Sequence, residues 1–399
     1  MPTPEPLREL ETIRTPEALL ELCQQLKQAG RFALDTEFVG ERTYLPHLCL
    51  VQIATTEFIA LIDTLAVKTL GPLWDLVADP AIEKVLHAAR EDLRLAYFEG
   101  AKRLPVGIVD TQIAAGLIGL ASYPLSYARL VEALMGIKLS KGETRSEWDR
   151  RPLTPAQFDY ARDDVRYLLP VADKIVRLLD KLGRTEWLRE EMGRFSEART
   201  YETDPDEAYL RLRNVRGLAA RPTALLRAVT AWREREAYDR DIPTRSLLRD
   251  EVLVELAQRP PRRLTDFRRL RGFPEGEDTT LGPPLLDALN AARDLPDDQL
   301  PAPLASGGPE ETPRERALGD LLYALGEALC LERDIAPELV LTKADALALA
   351  RNRPAGSLLN GWRAQAVGED LRRLATGAAT VRIEVTPAAL KIVLDSAKI

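Results

Sequence analysis

The sequence predicts an α/β domain followed by an all-α half. Three observations predict it. Short apolar runs of strand length alternate with capped amphipathic helices over residues 1–200. Beyond about Arg199 the apolar spacing is helical throughout. Proline- and glycine-rich breaks then divide the helical half into two modules of similar size, which read as a diverged repeat.

Each element has a local signal. Thr15-Pro16 followed by Leu19, Leu20, Leu22 and Leu26 is an N-cap, an N1 proline and an apolar face, and Gly30 ends that helix. Residues 32–37, 48–54 and 58–63 are strand-length runs whose close spacing predicts an antiparallel meander. Residues 84–87 predict a fourth strand with a helix over 91–98 after it. Residues 108–109 predict a fifth, with Asp110 as N-cap of a helix from Thr111. Thr154-Pro155-Ala156-Gln157 is a capping box opening a long helix through Phe158, Val165, Leu168, Leu169 and Val176. A polar linker at 201–207 leads into the helical half, which breaks at Pro260-Pro261, Pro274 to Gly276 and Gly282 to Pro284. A second linker, 300–312, precedes a last helical segment over 313–375, and residues 381–385 alternate like a short strand.

Composition excludes several functions. No stretch approaches the ~20 apolar residues that cross a bilayer, and residues 1–11 are proline-rich and acidic, unlike a signal peptide, so no membrane association and a cytoplasmic location are expected. Cys23, Cys49 and Cys330 are scattered with no CxxC, which argues against a zinc site or a disulfide framework. Two histidines, His47 and His87, are too few for a His-rich metal site or a His-dependent triad. The net charge of −7 does not invite a polyanion. Its distribution is more informative: residues 1–205 carry about −6, 206–294 about +2 and 295–399 about −3. The middle segment has 17 Arg and no Lys.

The chemistry lies in carboxylates. Asp35 and Glu37 stand two apart on a predicted strand and so share a face. Side by side they repel unless a cation sits between them, although an exposed edge-strand face would also carry them. Tyr160 and Asp164 stand four apart on the capped helix and share a face; a solvated Asp beside a half-buried Tyr is the bland alternative. Asp92 lies at a helix start, where the dipole favours an acid in any case. Together the set is more specific than its parts. Oxygen ligands without His or Cys select Mg²⁺ or Mn²⁺, and two such ions about 3.5–4 Å apart are the usual machinery for phosphodiester cleavage.

The run Leu34-Asp-Thr-Glu-Phe38 resembles the first motif of the DEDD exonucleases, His87-Ala-Ala-Arg-Glu-Asp92 the second and Tyr160-Ala-Arg-Asp-Asp164 the third. Tyrosine four residues before the acid marks the tyrosine variant; counting back five from Asp163 or Asp164 meets Phe158 or Asp159, not histidine. The longer runs 32–53 and 160–170, with Lys141 to Trp148 ahead of Arg151-Pro152-Leu153-Thr154, resemble the ribonuclease D family. The helical half resembles two HRDC domains.

The resemblance implies a ribonuclease H-like α/β exonuclease domain over 1–200, HRDC-like domains over 208–295 and 312–378, and a tail over 379–399. It implies 3′→5′ exoribonuclease activity with two divalent cations, Mg²⁺ or Mn²⁺, releasing nucleoside 5′-monophosphates. Asp35, Glu37 and Asp164 would hold one cation. Asp35 would bridge to the other, with Asp92 completing that site, and Tyr160 would orient the attacking water. Leu34 and Phe38 would flank the terminal base, with core packing an equal alternative. Lys141 and Arg145 would grip a phosphate, with Glu143 and Glu147 as competing partners. Trp148 is a core residue or a base platform, and His87 ends a strand in the core. The implied substrate is RNA with a free single-stranded 3′ end, such as a tRNA precursor, and no obligate protein partner is implied. A 3′→5′ DNA exonuclease is the alternative enzyme. An inactive nuclease fold serving as an adaptor is the alternative of another class, against which stand all four acids and the tyrosine. The HRDC-like half is expected to handle substrate, so that its loss weakens binding before chemistry.

Overall fold

The computed structural model describes residues 7–120, 123–139, 146–212, 215, 217–304, 311–385 and 390–396. They form two compact units: residues 1–37, 48–200 and 311–399, and residues 38–47 with 201–310.

The first unit is built on a mixed sheet of six strands among the described residues, ordered β1-β4-β3-β2-β5-β6. The strands are β1 (Arg8–Glu9), β2 (Arg31–Val39), β3 (His47–Ala54), β4 (Phe58–Asp63), β5 (Glu83–Leu86) and β6 (Ile108–Asp110). β3 and β4 pair antiparallel, as the spacing predicts, with Ile53 opposite Ala60. β2, β5 and β6 run parallel, with Ala33 opposite Val85 and Val85 opposite Val109. The two-residue strand β1, which lacks any alternation of its own, forms the edge of the sheet and pairs parallel to β4.

Eight helices among the described residues accompany this sheet: α1 (Pro16–Ala29), α2 (Gly71–Val77), α3 (Arg90–Glu99), α4 (Thr111–Gly116), α5 (Tyr127–Met135), α6 (Pro155–Arg166), α7 (Leu168–Leu182) and α8 (Thr185–Gly193). α1 has its expected caps, Thr15 at the start and Gly30 in the left-handed region at φ 65°. α6 opens on the expected capping box: Gln157 N donates to Thr154 Oγ1 at 3.2 Å, and Thr154 N to Gln157 Oε1 at 2.9 Å. The predicted long helix is two, because Tyr167 leaves helical geometry between α6 and α7. One face of the sheet, with Ala33, Ala54, Ile59 and Val85, packs on Val165, Leu168, Leu169 and Ala172 of α6 and α7.

The second unit is helical: α9 (Ala220–Asp239), α10 (Thr244–Leu247), α11 (Asp250–Gln258), α12 (Leu264–Phe267) and α13 (Gly282–Arg293). Its core gathers Leu225, Leu226 and Val229 of α9, Leu253 and Leu256 of α11, Phe267, and Leu285 and Leu289 of α13. Residues 38–47 belong to this unit. There the Tyr44 hydroxyl donates to Glu234 at 3.2 Å, its backbone N–H donates to Asp241 Oδ1 at 3.1 Å, and its ring meets Tyr238 edge-on at 5.5 Å.

The last helical module comprises α14 (Pro313–Glu332), α15 (Pro337–Val340), α16 (Lys343–Ala350), α17 (Gly361–Arg363) and α18 (Glu369–Ala375). It shares the compact unit of the sheet. Arg184, 8 % exposed, donates to Leu117 O at 2.8 Å, to Asp334 O at 2.7 Å and to Arg333 O. Trp362, 1 % exposed, donates its indole N–H to Glu191 Oε1 at 2.8 Å and stacks on Trp187 with ring centroids 5.2 Å apart. Arg363 reaches the same Glu191 oxygen at 2.6 Å. Gly119, at φ 67°, lets the backbone of Asp334 approach so closely that a Cβ would lie 2.5 Å from its carbonyl carbon.

The expected C-terminal strand is present as β7 (Ala379–Val385). Its antiparallel partner, β8 (Leu390–Ser396), was not anticipated. The tail is thus a hairpin anchored to α14, where Ile392 N donates to Glu332 at 3.1 Å. No helix among the described residues is long and apolar enough to cross a membrane.

Candidate active site

β2 places the first two acids. Asp35 and Glu37 follow Ala33 at intervals of two, so they share its face, the one packed against α6 and α7. α6 meets them with Asp164. Ala161 and Val165 bury one stripe of α6, leaving Tyr160 and Asp164 half-buried beside it. Carboxylate oxygens of Asp35, Glu37 and Asp164 all lie within 4.8 Å of one another.

Asp92 enters from the first turn of α3 and is 7 % exposed. It accepts a hydrogen bond from the hydroxyl of Thr36, the residue between the two acids of β2. Sequence reasoning passed over Thr36; its place inside the Asp-Thr-Glu run is the one local signal it has. The turn before α3 is held by Asp110, which does more than the expected capping of α4. Its Oδ1 accepts from Gln112 N at 2.8 Å and Ala88 N at 3.1 Å, and its Oδ2 from Ala89 N at 2.9 Å. Ala88 sits there at φ 57°.

The electrostatics fit a cation. Burial, then the charges of Asp92, Asp164 and Glu37, hold the Asp35 carboxyl well above the usual range. Burial pushes Glu37 up to about 8, with Asp164 and Asp92 adding to it. Burial likewise raises Asp92 and Asp164 to about 7, although hydrogen bonds from Thr36 and Tyr160 respectively pull the other way. All-oxygen donors that repel one another at this range suit a hard divalent ion.

An unfolded carboxyl titrates near ~4. Between about pH 4 and pH 8 the folded metal-free chain therefore holds protons that the unfolded chain has released. The stability these groups contribute is complete below that range and is lost as pH rises through 7–8. In EDTA the melting temperature should fall from pH 5 to pH 8, and Mg²⁺ or Mn²⁺ should recover it at pH 8, by about 2.7 kcal/mol at a hundred times the dissociation constant. A flat profile in EDTA with no shift on adding either ion would show that the acids are not a cation site.

The other expected residues divide. Tyr160 bonds Asp164, and Trp148, 2 % exposed, lies behind it with ring centroids 6.1 Å apart, which makes Trp148 a core residue that backs the phenol. Leu34 is 0 % exposed and belongs to the core, because it points away from the face of Asp35; it offers no surface to a base. Phe38 is half-buried and falls in the second compact unit. Lys141 and Arg145 lie outside the described residues, while Glu147 pairs with Arg150 at 2.8 Å. His87 follows β5 with Nδ1 2.9 Å from Thr111 Oγ1 and Nε2 2.9 Å from Leu125 O; burial holds it below its usual pKa.

Tyr127 was also missed. Its hydroxyl donates to Asp163 O at 3.1 Å and accepts from Tyr167 N at 3.1 Å, bracing the C-terminal end of α6.

A family model described as 3′-5′ exonuclease matches residues 10–180, and one described as HRDC domain matches residues 223–289. Ribonuclease D of Gluconacetobacter diazotrophicus is 38% identical over 382 residues, covering 94% of this chain and 95% of that protein. Ribonuclease D of Granulibacter bethesdensis is 39% identical over 369 residues, covering 90% and 91%. Among solved structures, the crystal structure of Escherichia coli RNase D, described as an exoribonuclease involved in structured RNA processing, superposes with a TM-score of 0.79. It is 32% identical and covers 92% of this chain and 98% of its own.

Proposed function

The chain belongs to the ribonuclease D family and is a metal-dependent 3′-5′ exoribonuclease, and from that premise we propose how its residues divide the work. The observation that carries the reading is the meeting of Asp35, Glu37 and Asp164, whose oxygens fall within one ion's reach. Asp35, Glu37 and Asp164 would hold one divalent cation, and Asp35 with Asp92 would hold a second. When bound, the cations supply Lewis acidity at the scissile phosphate; Mg²⁺ and Mn²⁺ both suit the donor set.

The chain's own residues prepare the reaction. Tyr160, steadied by Asp164 and backed by Trp148, orients the attacking water. Thr36 holds the Asp92 carboxyl in a fixed direction. The oxygen of water bonds to the last phosphorus, the bond from phosphorus to the preceding 3′ oxygen breaks, and that oxygen takes up a proton. The products are a nucleoside 5′-monophosphate and a strand one residue shorter with a 3′-hydroxyl.

The substrate in this proposal is RNA with a free single-stranded 3′ end, of the kind a tRNA precursor presents, in the cytoplasm. The domains are an exonuclease over 1–200, an HRDC domain over 208–295, a second, diverged HRDC-like module over 312–378 and a terminal hairpin.

Matched 5′-labelled RNA and DNA oligonucleotides test it. A ladder shortening from the 3′ end, much faster on RNA and dependent on Mg²⁺ or Mn²⁺, is expected. Faster digestion of DNA would replace the proposed substrate by DNA. Absence of cleavage with every ion would leave an inactive, binding fold.

A further inference from the structure

Tyr160 can orient water only if its ring is held still, and the following rests on that reading of Tyr160. Asp164 steadies the phenol from the same helix. Trp148, 2 % exposed, lies against the ring with centroids 6.1 Å apart and an interplanar angle of 36°. The indole N–H of Trp148 is buried and has no hydrogen-bond partner among the described residues. The indole is therefore not fixed by its own polar atom, and its direction depends on the backbone that carries it.

Arg151 holds that backbone. A guanidinium has five N–H donors, and here each has an acceptor. Nε and Nη2 donate to the two carboxylate oxygens of Asp63 at 2.9 and 2.7 Å. Nη2 also donates to Cys49 O of β3 at 2.8 Å. Nη1 donates to Trp148 O at 2.7 Å and to Arg150 O at 2.8 Å. Asp63, the last residue of β4, is 4 % exposed. Burial pushes its pKa up, but the bond and charge of Arg151 outweigh burial and hold the carboxyl below its usual range.

The turn that carries Trp148 is thus fastened to β3 and β4, whose Ala54 and Ile59 lie on the face packed against α6 and α7. It is also fastened to α6 itself: Gln157 Nε2 donates to Ser146 Oγ at 2.9 Å, and Trp148 N donates to Ser146 O at 2.9 Å. Lysine could not replace Arg151, because an ammonium has three donors and no planar fork.

We propose that Arg151, clamped by Asp63, is a positioning residue for hydrolysis: it sets Trp148 and, through Trp148, the direction of the Tyr160 hydroxyl. It acts without touching substrate or cation. A displacement of about 1 Å at a reacting group costs on the order of 100-fold in rate, so a small turn of the phenol is enough.

The test is a double-mutant cycle on the full chain, read as hydrolysis of a short single-stranded RNA with Mn²⁺. Arg151→Lys should lower kcat by about 10- to 30-fold and leave KM within about twofold. The ion-induced thermal shift should be retained. Asp63→Asn should lose about as much, because its one amide oxygen cannot accept both N–H groups; it carries the cycle if Arg151→Lys does not fold. Arg14→Gln removes the more distant partner of Asp63, at 3.6 Å, and should stay within about twofold of the parent. In the Tyr160→Phe chain, Arg151→Lys should cost less than about threefold, because the hydroxyl it directs is gone.

A loss as large in the Tyr160→Phe chain as in the parent would make Arg151 a structural residue and overturn the proposal. So would parental kcat in Arg151→Lys and Asp63→Asn, or a loss confined to KM or to the ion-induced shift. Tyr160→Phe alone separates the two readings. At the parental rate it would overturn the role of Tyr160 and the proposal together; slowed, with the cycle additive, it would overturn the proposal for Arg151 alone.

Discussion

Asp35→Asn should abolish hydrolysis, by at least about 10³-fold in kcat, or on the order of 4 kcal/mol in the barrier. Asp35 is the acid on which the charges of Asp92, Asp164 and Glu37 all converge. Replacing it with the neutral isostere removes the ligand proposed to face both cations and leaves the fold of β2 alone. The same change should raise, not lower, the metal-free melting temperature at pH 8, because it deletes the repulsion that burial makes costly. It should also erase most of the stabilisation by Mg²⁺ or Mn²⁺. Asp164→Asn should behave alike. Tyr160→Phe should be milder, about 100-fold in kcat, with the ion-induced thermal shift retained, because the phenol is proposed to orient water and not to hold an ion. Kinetics on a short RNA and thermal melts with and without the ions separate these outcomes. If Asp35→Asn kept activity within tenfold, the ligand assignment would be wrong.

Removing the last helical module, by ending the chain at residue 310, should cost the exonuclease its cooperative fold. From sequence the helical half was expected to affect binding before chemistry. The structure splits that half in two, because residues 311–399 share the compact unit of the sheet. Their loss would expose Arg184, whose guanidinium is spent on the carbonyls of Leu117, Arg333 and Asp334. It would also take Trp362 and Arg363 from Glu191, 4 % exposed, leaving it only the longer pair with Arg194 at 3.5 Å.

A buried carboxylate that loses its short hydrogen bonds is destabilised by up to about 3–5 kcal/mol, and truncating a buried Trp costs a similar amount. Trp362→Ala in the full chain should therefore lower the melting temperature by roughly 10 °C, with Glu191→Gln milder because its amide oxygen can still accept from the indole. The idea fails if the shortened chain melts cooperatively within about 2 °C of the parent's exonuclease transition and degrades a trinucleotide at the parental rate.

Much of the candidate site is legible in the sequence. The Asp-Thr-Glu run predicted two acids on one strand face because side chains alternate at a period of two. The capping box at Thr154 predicted a helix with Tyr160 and Asp164 on one side. What stayed hidden were the residues that hold these in place. Thr36 reaches Asp92 across 56 positions, and Arg151, beside Pro152, binds both oxygens of Asp63 and the carbonyl of Cys49, 88 and 102 positions away. For Leu34 the sequence left base contact and core packing equal, and the structure decides for the core: it stands next to the acids in sequence and on the other face of the strand in space.

The sequence by itself determined the central strands, the helices that open at Thr15, Asp110 and Thr154, and which acids stand together on a strand face or at a helix start, while α2, α5, β1, β8 and the break between α6 and α7 escaped it. Those properties depend on residues a few positions apart, where backbone period, caps and helix dipole act. Only the tertiary structure decided that β1 closes the sheet edge, that the C-terminal module is part of the exonuclease unit and that some arginines are spent on partners while others are not. Those outcomes depend on contacts such as Arg184 with Asp334, 150 positions apart, and Trp362 with Glu191, 171 apart. No local pattern encodes such pairs, because the burial that makes a lone arginine or glutamate demand a partner exists only once the chain has folded around it.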